Sequence, residues 1–124
     1  MKPVFGLRFC LLLLTCLLWN CKSDDPAPTP FQATDFEVVI NTTTQSGNDY
    51  RVNYDIVNKT TRRYAAPSDQ LFNVVFTAKA ADGSTYTEQE GVPELDASSR
   101  QSRVTLVSTT GKQTTITAEV LKAQ

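Results

Sequence analysis

The residue types that enzymes most often use for nucleophilic and metal chemistry are scarce in this 124-residue chain. It has no histidine, and its three cysteines, Cys10, Cys16 and Cys21, all lie near the amino terminus. Without histidine, neither a Ser-His-Asp nor a Cys-His nucleophile can be assembled. The usual zinc, copper and haem sites also lack their imidazole ligands. The sequence therefore predicts a protein that is not an enzyme and that carries no cofactor.

The cysteines belong to a short apolar segment at the start of the chain. Lys2 and Arg8 supply positive charge, and an apolar run extends from Phe9 to Trp19. This run is shorter than the roughly 20 residues that a bilayer-spanning helix needs. A basic start followed by a short apolar run is typical of a secretory signal peptide. We predict that residues 1–20 are such a signal.

The segment Leu18-Trp19-Asn20-Cys21 resembles the processing site of bacterial lipoprotein signals. The resemblance implies that the Cys21 thiol receives a diacylglycerol, that the signal is cut just before Cys21, and that the new amino group is acylated. Cys16 is the alternative acceptor, but its use would leave three bulky apolar residues on the mature protein. Two or three acyl chains, at about 0.8 kcal/mol per buried methylene, would hold a small domain durably on a membrane.

The residues after Cys21 indicate the compartment and the distance from the membrane. Lys22 stands where an inner-membrane retention signal of Gram-negative bacteria shows Asp, which favours the outer membrane. The run Lys22–Asp25 resembles the acidic export tag of Bacteroidetes surface lipoproteins, so the domain faces either the cell surface or the periplasm. Three alternate prolines over 26–30 favour extended backbone. We therefore predict a tether over residues 21–34.

The charge balance argues against a nucleic-acid partner, and one group of acidic residues could bind calcium. Twelve Lys and Arg stand against thirteen Asp and Glu, and two of the basic residues fall within the predicted signal, so no basic excess points to nucleic acid. Glu88, Glu90, Glu94 and Asp96 could supply oxygen ligands to calcium, which takes about six to eight. The alternative, a solvated strand face and loop, is favoured by the absence of an Asp-x-Asp-x-Asp-Gly loop.

The longest connection between predicted strands, residues 59–70, contains Arg62-Arg63-Tyr64. A guanidinium fork beside an aromatic ring suits contact with another protein. The alternative is a solubilising loop in which Tyr64 caps the edge of the fold. We predict Arg62, Arg63 and Tyr64 as the candidate partner-contact residues.

Period-two alternation of apolar and polar residues predicts the elements that must position these side chains. The alternation covers residues 36–40, 50–56, 72–80 and 116–120, with a further strand at 84–90. Val104 and Leu106 also alternate with polar neighbours, and we expect them to face the core. Polar turns at 46–49, 82–83 and 109–112 separate the strands. The pattern predicts an all-β, antiparallel β-sandwich of six or seven strands over residues 35–124.

Three of these segments resemble small bacterial immunoglobulin-like domains, in particular those of the CARDB type. The run Val52–Asn58 is similar to their second strand, which ends at an Asn that opens the next loop. Residues 94–99 resemble their turn before two closing strands, and Ile116–Val120 resembles their last strand. The resemblance implies an immunoglobulin-like sandwich that serves as an extracytoplasmic binding or spacer module and has no catalytic residues.

Together these patterns predict a lipid-anchored protein of the outer membrane whose domain binds another envelope protein without catalysis. The alternative is an inhibitor, or a capture protein for a small ligand or glycan, that acts through the loop 59–70. An exposed apolar patch or an unprotected edge strand would indicate the first function. A rigid protruding loop around Tyr64 would indicate the second. The sequence leaves the oligomeric state open.

Overall fold

A computed structural model describes residues 26–67 and 70–124 of the chain. The predicted signal peptide, Cys21 and the first residues of the predicted tether lie outside the described residues. One turn of 3-10 helix, Ala33–Asp35, precedes six strands. The strands are β1 (Phe36–Ser46), β2 (Asp49–Asn58), β3 (Phe72–Ala80), β4 (Thr85–Gly91), β5 (Arg100–Ser108) and β6 (Thr114–Lys122). Over the described ranges, no helix is long and apolar enough to cross a membrane.

The strands form two three-stranded antiparallel sheets that enclose one core. The first sheet has the order β1-β2-β5 and the second has the order β4-β3-β6. Tyr54 of β2 meets Phe76 of β3 edge-on, with ring centroids 4.8 Å apart, and both side chains are buried. The predicted all-β sandwich is confirmed, because the alternating apolar faces of the two central strands pack against each other.

One end of the sandwich, here the tether pole, is where the chain enters β1 and where the long connections 59–71 and 92–99 meet. Phe36 and Phe72 pack there with ring centroids 5.2 Å apart. Tyr64 and Leu95 exchange two backbone hydrogen bonds of 2.8 and 2.9 Å, which ties the two connections together. The tether pole is therefore closed by aromatic packing and by backbone pairing.

Three short turns meet at the opposite end, here the turn pole (residues 46–49, 80–85 and 108–114). The predicted Asp82-Gly83 turn joins β3 to β4, and Gly83 has a φ of 88°, which glycine adopts without steric cost. The amides of Thr109 and Gly111 both donate to the carbonyl of Asn48, at 2.9 and 3.4 Å. Backbone hydrogen bonds thus hold separate turns to one another.

Strand β5 turns the opposite face to the core from the one that the sequence predicts. Val107 is 1% exposed, whereas Val104 and Leu106 are 47% and 58% exposed. The register with β2 places Val107 opposite Tyr50, whose ring belongs to the core. Because alternate residues of a strand point to opposite faces, Val104 and Leu106 must then face solvent.

Phe31, which lies within the predicted tether, packs against the folded domain. The Phe31 ring stacks on Phe36 at a centroid distance of 5.7 Å and meets Tyr64 edge-on at 5.2 Å. The Phe31 amide also donates to Oε1 of Gln70 at 3.1 Å. An aromatic side chain from the tether thus completes the packing at the tether pole.

Candidate functional site

Arg62, the first of the predicted contact residues, holds the tether against the domain. Its Nη1 donates to the carbonyl of Thr29 at 2.6 Å. Its Cζ lies 4.5 Å from the centroid of the Phe31 ring. A cation over an aromatic face contributes about 0.5–1 kcal/mol at exposed sites. The Arg62 guanidinium therefore already has partners within the chain.

Tyr64 is buried, with no exposed side-chain surface. Its ring meets Phe36 edge-on at a centroid distance of 4.9 Å, and its hydroxyl donates to the carbonyl of Gln70 at 3.0 Å. Burial raises the pKa of the Tyr64 phenol. The ring completes the aromatic packing at the tether pole, so its burial agrees with the alternative in which Tyr64 caps the edge of the fold and not with an exposed contact residue.

Arg63 is the predicted contact residue that does present its charge to solvent. Its side chain is 63% exposed, and its Nη2 lies 2.8 Å from Oε2 of Glu94. Its Nε lies 3.4 Å from Oδ1 of Asp96. Exposed ion pairs contribute at most about 1 kcal/mol to stability. Arg63 stays a prediction as a contact residue, and the two carboxylates beside it leave this group of three side chains with a net charge of −1.

Three of the four acidic residues considered as calcium ligands lie beside two arginines, whereas the fourth, Glu88, lies on β4 opposite Phe76. Glu94 and Asp96 pair with Arg63 at the tether pole. Glu90 instead accepts a hydrogen bond of 2.8 Å from the hydroxyl of Thr105, and its Oε2 lies 3.9 Å from Arg103. In the part of the chain that the structure describes, no three His, Cys, Asp or Glu side chains lie close enough together to hold a metal ion.

Asn58 organises the tether pole, a role that the sequence analysis missed. The Asn58 side chain is buried, and it donates to the carbonyls of Arg62 and Asp96 at 2.7 and 3.1 Å. Its Oδ1 accepts from the amide and the hydroxyl of Thr60, at 3.0 and 2.8 Å. Asn is suited to such bonds with backbone two residues on, so an Asn at a strand end was the available signal.

The outer face of β5 offers a second candidate surface, of a different kind. Five large apolar side chains are exposed in the described ranges, namely Val39, Leu71, Val104, Leu106 and Leu121. Val104 and Leu106 are the two that share a strand, and their spacing puts them side by side on one face. They form a small apolar patch on the solvent side of the first sheet.

The same strand has a free edge. β5 pairs with β2 on one side, and no described strand pairs with its other side. The amide of Asn58 donates to the Ser99 carbonyl, and the amide of Thr109 donates to the Asn48 carbonyl. Both bonds involve odd-numbered residues of the β5 side, Ser99 and Thr109. Because bonded and unbonded residues alternate along an antiparallel strand, the N–H and C=O groups of all odd-numbered β5 residues point toward β2. The N–H and C=O groups of the even-numbered residues, including Val104 and Leu106, therefore point to the free edge.

Polar side chains on the inner side of β5 bind to the facing strand β4. Thr105 donates to Glu90, and Arg103 lies beside the same carboxylate. An inward-pointing charge is one device that limits strand addition at an edge. Here Glu90 offsets the charge of Arg103 on the inner side of the strand. The charge of Arg103 therefore does not block the outer face or the free backbone groups of the edge.

The other edge strands are less suited than β5 to pairing with an added strand. β1 has a register shift between Ile40 and Thr42, and such a bulge disrupts an edge as a template for pairing. The outer face of β4 is polar, and β6 exposes a single large apolar residue, Leu121, at 45%. Strand β5 therefore combines a regular edge with two apolar side chains.

An open depression of about 300 Å³ lies on the outer face of the second sheet. It is lined by Asn73, Val75, Gln89, Leu121, Lys122, Ala123 and Gln124. Lys122 is the one ionisable side chain of this lining, so the depression holds no acid–base pair of side chains.

The chain matches no protein-family model, no curated protein and no solved structure. The resemblances to lipoproteins and to CARDB-type domains therefore stay predictions.

Proposed function

We propose that the protein is a lipid-anchored, non-catalytic binding module of the bacterial cell envelope, held at the outer membrane through acylated Cys21. The observation that carries the binding role is the pair of exposed apolar side chains, Val104 and Leu106, on the free edge of β5. Apolar exposure together with unpaired backbone groups is the surface chemistry of an unoccupied interface.

The size of this patch suits a protein that is anchored to a membrane. A Val or Leu side chain gains about 1.5–3 kcal/mol when it is buried fully, and about half of each side chain here remains to be buried. Free association costs at least about 4 kcal/mol, which two side chains alone do not offset. Membrane attachment raises the effective concentration of neighbouring proteins and lowers this cost. The anchor and the small patch therefore support the same function.

The residue inventory supports a non-catalytic role. The chain lacks histidine, and its cysteines lie at or before Cys21. Of the residues predicted for an inhibitor loop, Arg62 binds the tether and Tyr64 lies in the core. We therefore place the contact surface on β5 and do not propose the loop 59–70 as a binding site.

Cross-linking on intact cells that express the full chain with a carboxyl-terminal tag tests this function. We expect a discrete cross-linked envelope protein with the wild type, and its loss with Leu106→Lys. The matched control is Leu121→Lys, because Leu121 is also an exposed leucine on an edge strand. Equal cross-linking by the wild type and Leu106→Lys would overturn the role of β5.

The anchor is tested separately by Cys21→Ser. We expect this variant to leave the membrane fraction and to lose most of the cross-linked product. Retention of Cys21→Ser in the membrane at the wild-type level would refute lipid anchoring at this residue.

A further inference from the structure

We infer that the occupant of the free edge of β5 is β5 of a second copy of this chain, added as an antiparallel strand. The inference rests on the proposed function, because it names the partner for the same surface.

The backbone phase permits this pairing. The even-numbered residues of β5 direct their N–H and C=O groups to the free edge, as the bonds to Asn48 and Asn58 establish. Antiparallel strands bond when such residues on one strand face such residues on the other. Two copies of β5 meet this condition whenever an even-numbered residue lies opposite an even-numbered residue.

One register of this kind brings all four exposed apolar side chains together. In it, Val104 lies opposite the second copy's Leu106, and Leu106 lies opposite the second copy's Val104. A two-fold axis then passes between Thr105 of each copy, and the same patch is used by both, as an isologous interface requires. Directly opposite side chains on one face have Cβ atoms about 4.5–5.5 Å apart, so both apolar pairs are in contact.

The neighbouring registers are poorer. Moving the second copy by two residues places Val104 opposite its own equivalent, or Leu106 opposite its own equivalent. In the first case Leu106 faces Ser102, and in the second case Val104 faces Ser108. Each shift therefore loses one of the two apolar pairs and leaves a large side chain against a hydroxyl.

The charges along β5 are compatible with the proposed register. Arg100 lies opposite Thr110 of the second copy, and Arg103 lies opposite its Val107. Like charges directly opposite each other destabilise a strand pair, and here none meet. Arg103 also keeps Glu90 of its own chain beside it. The two copies thus form a continuous six-stranded sheet in the order β1-β2-β5-β5-β2-β1.

Both copies can be anchored in one membrane. The tether poles of an antiparallel pair lie at opposite ends of β5, whose nine residues span roughly 30 Å. Eight residue steps lead from Cys21 to Thr29, where Arg62 fixes the tether, and they reach at most about 26–29 Å. The two anchors therefore reach the same membrane when the strands lie along its surface.

Co-expression of two full-length copies with different tags, followed by capture through one tag, tests this pairing. We expect the second tag to be co-captured with the wild type and with Leu121→Lys. When both copies carry Val104→Glu, or both carry Leu106→Lys, co-capture should fall at least five-fold. Wild-type co-capture with these two variants would overturn the inference.

A charge exchange tests the register and excludes misfolding as the cause of any loss. When a copy with Val104→Glu meets a copy with Leu106→Lys, the introduced carboxylate faces the introduced ammonium group, and the other Val–Leu pair is unchanged. We expect this combination to restore at least half of the wild-type co-capture. Restoration would also show that both variants are folded, because two variants that pair with each other must be. No restoration would overturn the proposed register.

Failure of this inference is distinguishable from failure of the proposed function. If a different envelope protein is cross-linked through Leu106 while the two tags do not co-purify, the second copy is the wrong partner and the function stands. If neither product depends on Leu106, both proposals fail.

Discussion

The tether pole and the outer face of β5 differ in how far their chemical groups are satisfied within the chain. At the tether pole, Asn58, Arg62 and Tyr64 each bind residues of the same chain. On β5, Val104 and Leu106 lie largely in solvent, and the backbone groups of the edge have no described strand beside them. Residue type alone therefore does not identify a contact surface. Arginine and tyrosine are typical contact residues, yet here they hold the fold together.

This difference separates two kinds of mutational effect. A group with internal partners contributes to the free energy of unfolding, and its removal leaves a cavity or an unpaired polar atom. A group without internal partners contributes little to folding, so its removal changes association instead. The predictions below test whether the two regions divide in this way.

The largest expected effect is on stability, at Tyr64. We expect Tyr64→Ala to lower the free energy of unfolding by about 3–5 kcal/mol, because it empties a buried aromatic position. Urea denaturation of the wild type and the variant measures this difference. The matched control is Arg63→Ala, which should change stability by less than about 1 kcal/mol since the Arg63 ion pairs are exposed. Similar losses in both variants would contradict the division of roles within this loop.

An intermediate effect is expected from two neighbours on β5. Val107→Ala should lower the free energy of unfolding by about 2 kcal/mol, because it removes two buried methyl groups and leaves a cavity. Leu106→Ala should change it by less than about 0.5 kcal/mol, although leucine is the larger residue. Denaturant titration of both variants decides the matter. The reverse order would mean that β5 buries the face that the alternation in the sequence predicts.

The smallest expected effect is a change in acid stability at Asp55, which lies opposite Ser102 of β5. The Ser102 hydroxyl donates to Asp55 at 2.6 Å and, with Asn41 and the Arg100 guanidinium, holds the pKa of this carboxyl below its usual value. A depressed folded-state pKa stabilises the fold above the unfolded value, near pH 4, and that contribution is lost as the pH falls. We expect Asp55→Asn to flatten the decline of the melting temperature below about pH 4.

A parallel test of the same effect is Asp82→Asn at the turn pole. The Lys112 ammonium and two groups of Ser84 lower the pKa of Asp82, so this variant should also flatten the acid decline. The double variant should be flatter than either single variant, because the two carboxyls lie far apart and act independently. An unchanged acid profile in Asp55→Asn would show that Ser102 does not stabilise the carboxylate form.

The sandwich was predictable from the sequence where one face of a strand is apolar and the other polar. Strands β2 and β3 have this pattern, and both bury the predicted face. β5 has apolar residues on both faces, at Val104, Leu106 and Val107, so the alternation left two registers possible. Pairing with β2 selects the one that brings Val107 to the core. A shift of one residue would reverse every side chain of the strand.

The candidate surface could not be predicted for the same reason. Val104 and Leu106 are surface residues only because the register places them opposite Asn53 and Arg51, which face solvent. The tether pole shows a similar limit. Phe31 is one aromatic residue in a proline-rich segment, and its contacts with Phe36 and Tyr64 join parts of the chain that are distant in sequence.

The sequence by itself determined the strand periods, the Asp82-Gly83 turn and the all-β class, because these depend on residues that are close together in the chain. It also determined which catalytic and metal chemistry lacks its residue types, since composition alone decides that. Only the folded arrangement selects which face of β5 is buried and which loop residues already have partners within the chain. These outcomes depend on contacts between distant segments, and the burial of apolar surface selects among arrangements that local patterns leave equivalent.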